Sequence, residues 1–202
     1  MTTVALSSVP FPLEAAGNPP LTAQVTGDIL TVTSAPATDL FVDPAGDEGA
    51  RPDAGRLTGL PDDRDFTLSA RVSVQFRSVF DAGVLLLYLS ERRWAKLCYE
   101  YSPQRHPMAV TVVTRPVSDD SNSFETDGSP LWLRITRSGR AWAFHASRDG
   151  SFWYLLRYFT LGETSGARVG FMAQSPTGEG CTVVFDNIVY KPGAPSDLRD
   201  GS

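Results

Sequence analysis

Residues 131–159 hold three runs, LWLRITR, AWAFHAS and FWYLLRYF, that are joined by two glycine turns. In the first two runs apolar and polar side chains alternate. A period of two puts Leu131, Leu133 and Ile135 on one side of an extended chain, whereas a helix would scatter them around its axis. Ser138-Gly139-Arg140 and Asp149-Gly150 are hairpin signals, because glycine readily supplies the positive φ that tight antiparallel turns demand. A chain patterned in this way is directed towards antiparallel sheet.

The same pattern recurs along the chain. Residues 66–76 (FTLSARVSVQF), 93–101 (RWAKLCYEY), 107–115 (PMAVTVVTR), 168–174 and 181–190 read as strands, with shorter ones at 29–33 and 39–43. Residues 82–89, AGVLLLYL, form an unbroken apolar run, which suits a strand covered on both faces. No window carries a capped 3.6-residue stripe, and at most one helical turn is expected near 161–166. Many short strands between regular turns predict an all-β sandwich or barrel. With 202 residues and 42% apolar content, a sizeable core forms without disulfide or metal staples. One domain is expected over 1–192, followed by a disordered tail at 193–202. Residues 44–65, rich in Gly, Pro and Asp, read as the longest loop, a length that is often functional.

Charge excludes some partners. The net charge is −5 and no Lys/Arg run exists, so a nucleic-acid backbone has no cationic track to follow. Pro10 and Pro12 interrupt the N-terminal apolar stretch, which also lacks a charged leader. No window approaches the roughly 18 apolar residues of a membrane span. Cys98 and Cys181 show neither metal nor redox spacing, so reduced thiols and a cytoplasmic setting are expected. No cofactor motif is present. Asp186 could serve a structural calcium, but the reading preferred is a carboxylate in a turn or edge strand. Oligomeric state is not legible.

Parity sorts the faces of each strand. In 93–101 one face carries Trp94, Lys96, Cys98 and Glu100; in 131–137 the face opposite the core set carries Trp132, Arg134 and Thr136. In 141–147, Ala143, His145 and Ser147 lie opposite Trp142, Phe144 and Ala146. A merely solvated face rarely spends tryptophans. The expectation is therefore one polar-aromatic concave surface built from Trp94, Lys96, Glu100, Trp132, Arg134 and His145. Lys96 and Glu100 sit about 13–14 Å apart along an extended strand, so each needs a partner on a neighbouring one. Arg134 and the Asp119/Asp120 pair are the candidates.

Several ordered segments resemble a known family. Phe80-Asp81-Ala82-Gly83-Val84-Leu85 resembles its "YDQAGLM" segment, and Trp94-Ala95-Lys96 with Glu100 its "WLK…E" strand. Val112-Val113-Thr114 with Ser118-Asp119-Asp120-Ser121 resembles "VVT…SDWS"; Leu133 to Arg137 resembles "LRVxR", and Ser147 to Trp153 "SxDGxxW". Gly170 to Pro176 is similar to its "VG…A.SP" strand. This is the family of function-unknown domains related to the regulation-of-enolase proteins, itself similar to the C-terminal domain of some β-xylosidases. The resemblance spans about 38–190 and implies a concanavalin A-like jelly roll in a sugar-related context. It also implies rim or supporting roles for Asp81, Thr114, Ser118 and Asp119. Ala82 and Asp120 stand where the family has Gln and Trp.

Three functions fit these residues. The first is non-catalytic binding of a saccharide or other polar small molecule, with indoles stacking and Lys96, Glu100, Arg134 and His145 bonding hydroxyls. The second is a cytoplasmic isomerase, lyase or cyclase using Lys96 or His145 with Glu100 as acid and base; a glycosidase is disfavoured for want of a second carboxylate beside Glu100. The third is a groove that docks a partner chain. A nucleophilic set of Cys98 with His145 is set aside, because buried cysteines are commonly inert.

Overall fold

The strands follow the period-two runs closely, and the polar segments between them supply several more. The structure is a computed structural model that describes residues 3–46, 50–62 and 64–202. Its strands are Thr3–Val4 (β1), Leu13–Ala16 (β2), Thr22–Thr26 (β3), Ile29–Thr33 (β4), Leu40–Val42 (β5) and Ala50–Pro52 (β6). Arg56–Gly59 (β7), Phe66–Val74 (β8), Ala82–Ser90 (β9), Arg93–Tyr101 (β10), Pro107–Thr114 (β11) and Ser118–Glu125 (β12) continue it. Leu131–Ser138 (β13), Ala141–Ser147 (β14), Tyr154–Phe159 (β15), Arg168–Gln174 (β16) and Thr182–Pro192 (β17) complete it. No helix occurs among the described residues, including 161–166, and hence none long and apolar enough to cross a membrane.

Two antiparallel sheets form the sandwich, a concanavalin A-like jelly roll. One has eight strands in the order β1-β2-β7-β16-β9-β10-β11-β12; the other has seven, β15-β14-β13-β8-β17-β4-β3. Their inner faces meet in one apolar core. The eight-stranded sheet contributes Leu85, Leu87, Leu97, Tyr99 and Phe171, and the seven-stranded sheet Leu68, Val72, Ile135, Trp142 and Phe144. The alternate residues of β9 and β10 face outward and are buried as well. Val84, Leu86, Trp94 and Cys98 pack with Val110, Val112 and Met172 beneath Leu40, which belongs to the β5–β6 hairpin. A cover on the outer face explains why AGVLLLYL is continuous rather than alternating.

Two expectations need correction. Residues 44–65 are not one long loop: β6 pairs with β5, and β7 is inserted between β2 and β16. Ladder hydrogen bonds to flanking strands outweigh the local Gly/Pro bias there. Residues 47–49 and 63 of that stretch lie outside the described residues. The last ten residues are not a free tail either. The Leu198 and Gly201 carbonyls accept hydrogen bonds from His145 and Arg134 on the outer face of the seven-stranded sheet. β12 (SDDSNSFE) was not anticipated, because a polar edge strand carries no apolar alternation to betray it.

Candidate functional site

β10 lies within the eight-stranded sheet between β9 and β11, and its register builds the outer face row by row. Trp94 lies opposite Tyr88 and Thr114, Lys96 opposite Leu86 and Val112, and Glu100 opposite Ala82 and Met108. Gln174 enters the last row from β16, opposite Ala82. Opposed residues share a face, so Trp94, Lys96, Glu100 and Gln174 converge on one side of the sheet.

Lys96 is 2% exposed, and its ammonium donates to Gln174 Oε1 at 2.8 Å and to Asp39 Oδ1 at 3.2 Å. Asp39 stands at the foot of the β5–β6 hairpin, so this ion pair ties the cover to the sheet. The hairpin is held a second time by Val42 N–H, which donates to Ser118 Oγ at 2.9 Å. Burial disfavours the Lys96 charge, but Asp39 and, less strongly, Cys98 and Glu100 outweigh it and hold the ammonium above its ordinary range. The ammonium also lies 5.7 Å from the centroid of the Trp94 ring.

Glu100 is differently placed. It is 9% exposed and its carboxyl has no hydrogen-bond partner among the described residues. Burial pushes it up to about 8, against the pull of Lys96, with Asp39 and Asp120 adding smaller upward pushes. Lys96 is already paired with Asp39, and burial outweighs its pull on Glu100, which is mostly protonated at neutral pH. The indole N–H of Trp94 is buried without a partner, whereas the Glu100 oxygens keep some contact with the surface. Burial pushes the Cys98 thiol far above its usual range, and Cys181 is pushed up to about 12; both cysteines are free and buried.

The other expected residues lie elsewhere. Trp132, Arg134 and His145 are not on this face. They belong to β13 and β14, on the outer side of the opposite sheet, with Arg134 directly across from His145. Parity assigns a residue to the inner or outer side of its own strand, but it cannot say which sheet that strand joins. Arg134 is therefore no partner for Lys96 or Glu100, and His145 cannot act with Cys98. Trp132 packs on the Asp149-Gly150 turn, where a Cβ on Gly150 would fall 2.8 Å from the indole.

The residues named through the family resemblance separate as well. Asp81 is fully buried and accepts from Arg77 N–H, Ser78 N–H and Ser175 Oγ, so it holds the loop before β9. Thr114 and Ser118 are bonded to each other at 2.9 Å beside Trp94. Asp119 is turned away and pairs with Arg157 at 2.8 Å. Asp39 and Gln174 were missed. Parity along β16, with Gly170, Met172 and Gln174 on one side, carried the signal for Gln174. Nothing local to Asp39 announced a fold-back over β10.

Asp186 serves as the partner of Arg71, with two hydrogen bonds of 2.7 Å each. No cluster of three or more metal-ligating side chains occurs among the described residues. Because Arg71 is 41% exposed, Asp186→Asn is expected to cost no more than about 1 kcal/mol in urea unfolding at pH 7. Arg71 depresses the Asp186 acid, so this contribution fades as pH falls through the carboxylate range. Two surface cavities lie away from β10. One, of about 450 Å³, is bounded by Phe11, Leu60 and Tyr190; the other, of about 360 Å³, by Thr126, Pro130 and Arg148.

Residues 17–193 match the family described as protein of unknown function (DUF1349), and the chain belongs to that family. Regulation of enolase protein 1 of Saccharomyces cerevisiae is 28% identical over 134 residues, which is 66% of this chain and 67% of that protein. The crystal structure of a functionally unknown protein from Saccharomyces cerevisiae superposes with a TM-score of 0.80 at 24% identity. It covers 91% of this chain and 97% of that one. The GH43 protein BlXynB from Bacillus licheniformis gives a TM-score of 0.73 at 13% identity, over 91% of this chain but only 37% of its own length. At such identities these structures share the fold alone.

Proposed function

We propose that this member of a function-unknown family binds a small polar molecule, a saccharide being the leading class, on the outer face of β10 beneath the β5–β6 hairpin. One observation carries the reading: Glu100 presents a largely buried carboxyl that no protein group bonds, beside a neutral Lys96–Asp39 couple, and its oxygens still touch the surface. A carboxyl reached from the surface but bonded by no protein group is free to bond a hydroxylated ligand at the Glu100 end, in place of water. Trp94 adds a flat apolar wall with a free N–H donor, the mixture that polar ligand sites use. Two unbridged, buried thiols accord with a cytoplasmic setting.

A second reading, an acid–base enzyme acting on a small metabolite, is favoured by Glu100 itself. A carboxyl pushed up to about 8 is a competent proton donor at neutral pH.

The test is a thermal-shift screen at pH 7 over neutral monosaccharides, disaccharides and sugar acids, repeated with Glu100→Leu and Lys96→Met. The expected result is a saturable rise in Tm for one class that weakens at least about tenfold in Glu100→Leu, equivalent to the loss of roughly one buried hydrogen bond. A rise that persists unchanged in both variants places the ligand elsewhere, and a panel without any rise removes the saccharide reading.

A further inference from the structure

The outer face of the opposite sheet carries a second cluster of buried polar groups with incomplete bonding. Arg134 and His145 are 9% and 0% exposed and lie directly across from one another; Thr136, also fully buried, is the next outward residue on β13. Arg134 Nε, Thr136 Oγ1 and His145 Nδ1 all lack hydrogen-bond partners. No carboxylate pairs with Arg134 among the described residues, and burial alone lowers its guanidinium towards about 10. Trp153 covers the guanidinium, with 4.2 Å between its Cζ and the ring centroid.

The bonds that do exist come from one short segment. Arg134 Nη2 donates to Gly201 O at 2.9 Å, and His145 Nε2 donates to Leu198 O at 2.8 Å. Because a carbonyl only accepts, Nε2 carries the proton of His145. The segment is folded on itself by Gly201 N–H to Asp197 O, 2.9 Å, and by Asp197 N–H to Ser202 O, 3.1 Å. Gly201 has a φ of +79°, and a Cβ there would fall 2.6 Å from Arg134 Nη2 and 2.7 Å from Trp153 Cβ. The close approach of the segment to Arg134 therefore depends on glycine.

Nε and one Nη of an arginine make the edge that clamps a carboxylate or phosphate with two parallel bonds. Here one of these donors is idle and the other rests on a backbone carbonyl, a weaker acceptor than an oxyanion. We infer that Arg134, His145 and Thr136, walled by Trp153, form a binding site for a small oxyanion-bearing molecule, and that residues 196–202 occupy it as a displaceable strap. The Gly201 and Leu198 carbonyls stand where ligand oxygens bind. A ligand must displace the strap, so its apparent affinity is reduced by the fraction of molecules with the strap open.

The experiment uses the full chain and its Gly201→Ala variant. The Arg Nε–Hε resonances are followed by ¹⁵N NMR while inorganic phosphate or succinate is added; Arg134→Gln identifies the Arg134 signal. The expected result is a saturable shift of that signal, with apparent affinity at least about tenfold tighter in Gly201→Ala. The shift that saturates at lower concentration tells whether phosphate or carboxylate is preferred. In the Gly201→Ala, Arg134→Gln double variant, binding followed through backbone amides should disappear. Equal affinity in the full chain and Gly201→Ala removes the strap. Binding that survives Arg134→Gln, or no saturable shift in a Gly201→Ala protein whose spectrum is dispersed and folded, overturns the site. Because the two sites lie on opposite sheets, these outcomes are independent of the saccharide screen.

Discussion

Replacing Lys96 by alanine is expected to lower the unfolding free energy by about 3–5 kcal/mol and the melting temperature by about 10 °C. The side chain is fully enclosed, and its ammonium has two oxygen partners. Truncation leaves Gln174 Oε1 without its donor and the half-buried Asp39 carboxylate without its counter-charge. It also opens a void beneath Leu40. The pair itself contributes less than this loss, since burying two charges costs nearly what their attraction returns. Lys96→Met with Asp39→Asn, which removes both charges and keeps most of the volume, should therefore recover at least half of the deficit. Urea unfolding of the single and double variants measures the coupling. A Lys96→Ala cost below about 1 kcal/mol would mean that the hairpin does not depend on this tie.

The second large effect depends on pH. Burial raises the Glu100 acid from an ordinary carboxylate value to about 8, so the folded state binds a proton that the unfolded state releases near 4.5. Stability from this group is complete below about pH 4.5 and is lost progressively as pH rises to about 8. Glu100→Gln, close in shape and unable to ionise, escapes the loss. It should match the unsubstituted chain near pH 4 and exceed it by up to about 4–5 kcal/mol above pH 8.5, the attraction of Lys96 being already contained in the value of about 8. His145 works in the opposite direction: burial lowers it to about 4, so its contribution is lost as pH falls from about 6.5 towards 4. Melting curves between pH 4 and pH 9 separate the two. A flat difference between Glu100→Gln and the unsubstituted chain across that range would place Glu100 in contact with solvent.

Much of the fold is legible in the sequence. The runs at 66–76, 93–101, 131–137 and 141–147 became β8, β10, β13 and β14 within a few residues, because alternation is the imprint of a sheet with one buried face. The continuous run at 82–89 announced a second covered face. Only the structure shows that the β5–β6 hairpin provides the cover. Among the strands that escaped notice, β7 and β12 owe their existence to neighbours: β7 is held between β2 and β16, and β12 is an edge paired to β11.

The candidate site divides in the same way. Trp94, Lys96 and Glu100 share a face as a direct consequence of their spacing, since side chains two apart in a strand project to the same side. That Lys96 and Glu100 cannot neutralise each other directly also follows from the sequence, through the rise per residue. Their surroundings do not. Asp39 reaches Lys96 across a separation of 57 positions and Gln174 across 78, distances over which sequence pattern carries no register. The assembly of Trp132, Arg134 and His145 with the β10 residues failed for the same reason. Parity is a local property of a backbone, while membership of a sheet is settled by pairing energies summed over the whole chain. Sequence alone thus determined an antiparallel sandwich and one polar-aromatic strand at its heart. Tertiary structure decided what covers that strand, which acid on it keeps its proton, and that the remaining polar cluster lies on the far side of the molecule beneath a strap of its own.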